Sequence, residues 1–165
     1  MIQVIKDGKI WELFDSINVH TGLDDLCGTF SIETSLKARS PINKGDLLQL
    51  ASLGNRPSIN FVKGYVEKVK GSITTDSANV VYSGRDLLGD LVDSSVPPQI
   101  SLSEGGISLP ALCSKILRGL KINAEVINLA GAIKPFSEKE IAAVGFGGSA
   151  GSFLQSFARK RHLFL

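Results

Sequence analysis

One short segment limits the possible folds more than any other: Thr29–Leu36, TFSIETSL. Side chains alternate along a strand with a period of two, so Phe30, Ile32, Thr34 and Leu36 share one face. Ser31, Glu33 and Ser35 share the other. A strand with one apolar and one polar face needs strand neighbours and a core on one side only. The surrounding chain supplies candidates for those neighbours. Ile2, Val4 and Ile5 lead into Asp7-Gly8, a strong hairpin signal, and Ile10, Trp11, Leu13 and Phe14 continue beyond it. Ile17 and Val19 alternate with Asn18 and His20. Pro41–Asp46, PINKGD, reads as a turn before the strand Leu47–Leu50. Ile59–Val69 is a longer strand in which Gly64 suggests a bulge or a sharp bend. Ala78–Ser83 is the next strand. Short strands at this spacing predict a small antiparallel β-barrel or sandwich over residues 1–97.

The pattern changes after Pro97-Pro98. Proline, serine and glycine concentrate near residues 96–106, which marks the expected boundary. Residues 98–165 read as an α/β segment of helix-strand-helix form, which could make an incomplete second domain, and the fold class is α+β. Ser108 is a candidate N-cap with Pro110 in the first turn. Leu109, Leu112, Cys113, Ile116, Leu117 and Leu120 follow helical spacing, and Gly119 is a candidate C-terminal cap. Ala124–Asn128, AEVIN, reads as a strand. Phe136–Glu140 reads as a short polar connection, and Ile141–Phe146 as a strand or an apolar turn. Ser152–Arg161 reads as a helix with Phe153, Leu154, Phe157 and Ala158 inward. Its final cations, Arg159, Lys160 and Arg161, suit the helix dipole.

Composition excludes some functions. A net charge of +2 over 165 residues is too mild to argue for nucleic-acid binding. Lys37, Arg39, Lys44 and Arg56 fall on expected loops and Lys63, Lys68 and Lys70 on a strand, which reads as a solvated face with little aromatic interleaving. Cys27 and Cys113 lie in apolar surroundings without a Cys-x-x-Cys pair and read as buried, reduced thiols. The first residues lack a signal peptide's pattern, and no stretch approaches the roughly 20 apolar residues of a membrane helix. The expectation is a protein made and folded in a cytoplasm.

Four constellations are candidates for chemistry. Gly147–Gly151 matches G-x-S-x-G, with Ser149 as nucleophile. A triad then needs an acid and a histidine further on, but only His162 follows, with no Asp or Glu. Gly145–Ala150 matches G-x-G-x-x-A, but the acidic residue expected about 20 positions later has no place in the chain. The bland alternative is a glycine-rich loop opening a helix. Asp24 and Asp25 read as a solvated turn. Asp86, Asp90 and Asp93 would share a helix face and offer a weak cation site. The intervening Leu87, Leu88, Leu91 and Val92 favour a short amphipathic turn instead. No histidine or cysteine spacing suits zinc.

An ordered set of segments resembles the phage Mu gpP-like and T4-like baseplate hub proteins. The set begins with the turn Pro41–Asp46 and the strand Val62–Val69 with its Gly64. Ser83-Gly84-Arg85-Asp86 follows directly after a strand, and then Gly89-Asp90-Leu91-Val92-Asp93-Ser94-Ser95. Ser101–Leu120 and Ser152–Leu165 resemble the family's later helices. The resemblance implies a non-enzymatic structural protein without a cofactor. It implies a homotrimeric ring that joins the tail tube to the central spike and other baseplate proteins. DNA would pass its channel without specific binding. The implied location is the virion tail baseplate, assembled in the bacterial host cytoplasm. Gly64, Gly84, Arg85, Asp86, Asp90, Leu91, Val92 and Asp93 are the residues implied to carry structure or interface. Family members are commonly about twice this length, so the expectation is a chain lacking the later domains. The rival expectations are a small serine hydrolase using Ser149 and an oligomeric nucleic-acid-binding barrel.

Overall fold

A computed structural model describes residues 2–22, 25–35, 41–52, 59–74, 78–98, 100, 106–142 and 148–165. The chain divides into two compact units. The first is Met1–Gly22 with Cys27–Leu87, and the second is Leu23–Leu26 with Leu88–Leu165.

The first unit is a seven-stranded sheet, antiparallel at every pairing. Its strands are β1 (Ile2–Lys6), β2 (Lys9–Trp11), β3 (Ser16–His20), β4 (Thr29–Ser35), β5 (Leu47–Ser52), β6 (Ile59–Ile73) and β7 (Ala78–Asp86). Their order is β2-β1-β5-β6-β7-β4-β3. The Asp7-Gly8 pair does turn the β1–β2 hairpin, both residues having positive φ. Phe30, Ile32 and Thr34 are buried on one face of β4, as alternation requires. Thr34 is a polar residue on that apolar face because its hydroxyl donates to the Leu13 carbonyl at 2.7 Å. Beside Phe30 and Ile32, the core gathers Val4, Trp11, Ile42, Leu48, Leu50, Val62, Val66 and Tyr82.

The expected barrel or sandwich is corrected here. Among the described residues there is one sheet, and it is not closed, because β2 and β3 end it without pairing to each other. Binary patterning specifies how many faces are buried but not whether the two terminal strands meet. The long strand β6 serves two neighbours in turn. Leu47–Ser52 pair with Ile59–Tyr65, and Ala78–Asp86 pair with Gly64–Ile73.

The second unit is built from α1 (Gly89–Asp93), α2 (Leu109–Gly119), α3 (Glu138–Ala142) and α4 (Ala150–Arg159). Ser108 caps α2 as expected, its hydroxyl accepting from the Ala111 N–H. Leu109, Leu112, Cys113, Ile116 and Leu117 of α2 meet Phe153, Leu154, Phe157 and Ala158 of α4 in one core. Phe157 packs edge-on against both Phe136 and Phe153, at 4.8 and 4.9 Å between ring centroids.

Three local expectations change. Ala124–Asn128 belongs to no strand, so no helix-strand-helix order is seen among the described residues. Phe136–Glu140 is not merely a polar connection, since Phe136 is fully buried and α3 starts at Glu138. Ile141 is a buried residue of α3 rather than of a strand. The rest of that expected strand, 143–146, lies outside the described residues, as do Asp24, Leu36, Lys37, Arg39, Arg56 and Ser101.

Candidate assembly surface

Of the residues singled out by resemblance, Gly64, Gly84, Arg85 and Asp86 fall where β6 and β7 cross. Gly64 faces Asp86, Tyr65 faces Arg85 and Val66 faces Gly84 in the antiparallel ladder. A Cβ placed on Gly64 would collide with the backbone carbonyl of Arg85, and one on Gly84 with the carbonyl of Tyr65 and the Phe30 ring. Only glycine allows this approach. The bulge expected at Gly64 lies slightly later, where the register slips between Val66 and Lys68 and leaves Glu67 as the extra residue. Gly64 is thus the site of close approach, and the irregularity it announces follows it.

Around this crossing the polar groups are paired. Arg85 Nε donates to Glu67 Oε1 at 2.7 Å, so the arginine holds the bulged residue. Asp86 ties the end of β7 to the start of β4. Its carboxylate accepts from the Gly28 N–H at 2.7 Å, and its own N–H donates to the Gly28 carbonyl at 2.9 Å. Burial, reinforced by this carboxylate, pushes the Cys27 thiol up to about 12. Burial likewise raises Cys113, to about 11. Neither is a thiolate nucleophile near neutral pH. A cleft of about 550 Å³ opens beside the crossing, lined among others by His20, Phe30, Glu67, Gly84 and Arg85.

Asp90, Leu91, Val92 and Asp93 form α1. Leu91 is buried in the helical core, whereas Asp90 and Asp93 are exposed. Gly151 of α4 lets this turn sit close, since a Cβ there would crowd the Leu91 carbonyl and Val92 Cα. The Ala150 N–H donates to the Ser94 carbonyl at 2.6 Å. Asp86 lies in the strand, not in α1, and therefore does not share a helical face with Asp90 and Asp93. Among the described residues, no group of three or more His, Cys, Asp or Glu is gathered to hold a metal ion.

Ser149 is a helix cap. Its hydroxyl accepts from the Ser152 N–H at 3.2 Å and bonds the Ser152 hydroxyl at 3.0 Å. His162 lies past the far end of the ten-residue α4, which at about 1.5 Å per residue is roughly 15 Å long. The two cannot form a nucleophile–base pair. Gly145–Gly147 of both glycine motifs lie outside the described residues. No helix among the described residues is long and apolar enough to cross a membrane.

The strongest polar cluster was not among the expected sites. Arg161 Nη1 pairs with Glu140 Oε1 at 2.8 Å, Nε donates to the Lys134 carbonyl and Nη2 to the Pro135 carbonyl. Its guanidinium lies 4.3 Å over the Phe136 ring. Glu140 also accepts from the N–H and hydroxyl of Ser137, while its own N–H donates back to that hydroxyl. The Arg161 hydrogen bond, helped by Ser137, holds the Glu140 carboxyl down to about 2. Ser137-x-x-Glu140 is a capping box, and that signature was present in the sequence. Its pairing with Arg161, 21 positions on, was not.

Comparison with known proteins finds likeness in structure only. No family model matches the chain, and no curated protein matches it. Three solved structures it resembles are tail proteins, two of them from prophages. One is the 43 kDa tail protein of prophage MuSo2 from Shewanella oneidensis. It is 20% identical at a TM-score of 0.67, over 99% of this chain and 50% of that one. A tail protein from Neisseria meningitidis is 17% identical at a TM-score of 0.65, over 96% of this chain and 44% of that one. Prophage tail protein gp18 from Listeria monocytogenes is 10% identical at a TM-score of 0.57, over 94% and 44%. This chain therefore has a fold found in prophage tail proteins, and it spans about half the length of the structures it matches.

Proposed function

We propose that this chain is a structural component of a contractile phage-type tail. Within it, the chain is part of a trimeric baseplate hub that joins the tail tube to the central spike around a channel for DNA. The observation that carries this reading is a fold shared over 99% of the chain with a prophage tail protein. The chemistry agrees with a role that makes and breaks no bonds. Ser149 serves as a cap, and both thiols are held in the protonated form. On this reading Gly64, Gly84, Arg85 and Asp86 hold the β6–β7 crossing, and Asp90, Leu91, Val92 and Asp93 place α1, so that the family-like segment is scaffold rather than active site. The partners are tail tube, spike and other baseplate proteins, and the location is the virion tail.

Co-expression with the tail-tube and spike proteins of the same tail tests this. A tagged chain is expected to recover both in one complex. Recovery of neither, with the chain folded, contradicts the reading.

A further inference from the structure

The helical unit is not one continuous stretch of chain, since it takes in Leu23–Leu26 from between β3 and β4 of the sheet. Leu26 is seated at Gly151 of α4. A Cβ built on Gly151 would lie 2.8 Å from Leu26 Cδ1, beside the Leu91 carbonyl and Val92 Cα of α1. Two residues on, Gly28 is buried and fixed in the sheet. Its N–H donates to the Asp86 carboxylate at 2.7 Å, and its carbonyl accepts from the Asp86 N–H at 2.9 Å. A Cβ there would also meet Thr21 Cγ2 at 2.9 Å. Only Cys27 separates a residue held in one unit from a residue held in the other, and one residue spans at most about 3.6 Å.

The last passage between the units repeats this pattern. Asp86 is held by Gly28, and the Leu87 N–H donates to the Lys63 carbonyl at 3.1 Å. The next residue, Leu88, packs on the helical core, and its carbonyl accepts from the Leu91 and Val92 N–H groups of α1. The two passages are thus fastened at one point, the Asp86–Gly28 pair, whose members lie 58 positions apart. Without the folded sheet, a loop of that length must close before Leu26 can reach a seat formed by α1 and α4. Closure of such a loop disfavours the seating roughly 400-fold, from the three-halves power of its length. The sheet removes that cost by holding Gly28 against Asp86.

We propose that Leu26 and Asp86 form a strap through which the two units unfold as one. Linkers between domains are ordinarily exposed and flexible, which lets each domain open by itself. Here opening of the sheet frees Gly28, and Leu26 leaves its seat at α4. Coupling is reciprocal, so loss of the Leu26 seat weakens the sheet by the same factor. A partner that steadies either unit therefore steadies both. The strap stands independently of the role proposed above.

A urea titration of the whole chain tests it, followed by Trp11 emission for the sheet and by the far-UV helix signal for the second unit. Wild type is expected to show coincident transitions. Leu26→Ala removes the seat contact, and because Leu26 is only half-buried both units are expected to stay folded. Its two transitions are expected to separate. Asp86→Ala is expected to separate them as well. Asp86→Asn, which keeps an acceptor oxygen for Gly28, is expected to keep them together. Hydrogen exchange gives a second readout. Leu50→Ala, confined to the sheet core, is expected to speed exchange of the α4 amides about 10-fold or more with the strap intact. In the Leu26→Ala background the same substitution is expected to speed it by less than about 2-fold. Separate transitions in wild type overturn the proposal. So do transitions that stay coincident in Leu26→Ala, or α4 exchange indifferent to Leu50→Ala.

Discussion

The two units solve the same problem in opposite ways. In the sheet, the decisive residues have no side chain at all. Gly64 and Gly84 let β6 and β7 approach so closely that a single added carbon meets a neighbouring carbonyl. In the helical unit, the decisive residues are large, with Phe136 and Phe157 fully buried against each other and Arg161 stacked on the Phe136 ring. One unit is specified by backbone proximity and the other by packed volume. The difference teaches that a motif rich in Gly and Asp can look like a binding loop while serving mainly to let strands cross.

The harshest way to break this contrast is to add carbon to the crossing. Gly84→Val is expected to cost more than about 4 kcal/mol, because backbone on both sides must move. Trp11, the single tryptophan, sits in the sheet core and reports the loss by fluorescence. A variant that folds with wild-type emission would show that the crossing tolerates a side chain. In the helical unit, Phe157→Ala is expected to cost about 3–5 kcal/mol by leaving a cavity between α2 and α4. Following the far-UV helix signal together with Trp11 emission in a urea titration shows whether the two units melt in one transition or in two.

Arg161→Ala removes the bonds to the Lys134 and Pro135 carbonyls and the ring contact, for an expected cost of about 1–2 kcal/mol. It also removes the partner that depresses Glu140. A carboxyl lowered on folding stabilises the fold above its ordinary value of 4.5. That stabilisation fades as pH falls from 4.5 through about 2. The gap between wild type and Arg161→Ala is therefore expected to be widest at neutral pH and to narrow on acidification through that window. A gap that widens in acid contradicts the assignment. The smallest effect concerns the half-buried pair Arg85–Glu67. Arg85→Ala is expected to shift stability by less than about 1 kcal/mol, since such pairs are largely screened. Both cysteines should resist alkylation at pH 8 in the folded protein and react once it is unfolded.

What was legible in the sequence follows the same division. β4 and the helix from Ser108 onward were readable because period-two and period-3.6 patterns need no distant partner. Gly64 was readable as an irregularity but not as a close approach, because Arg85, its obstacle, is 21 positions away. The open edges were not readable, since strand patterns are the same in barrels and in open sheets. Ala124–Asn128 reads as a strand on propensity alone, and propensity is silent about the partner. Asp86 was readable as an acid but not as the clasp of Gly28, which lies 58 positions earlier. The Arg161 clasp joins helix end to loop and had only the Ser137–Glu140 box to announce it.

Electron microscopy of tails assembled with and without this chain tests the proposed hub most directly. With it, tubes should end in a baseplate that carries the spike. Without it, tubes should lack the spike, and restoring the wild-type chain should restore it. Tails of normal length and shape, spike included, formed in the absence of the chain would contradict the proposed role.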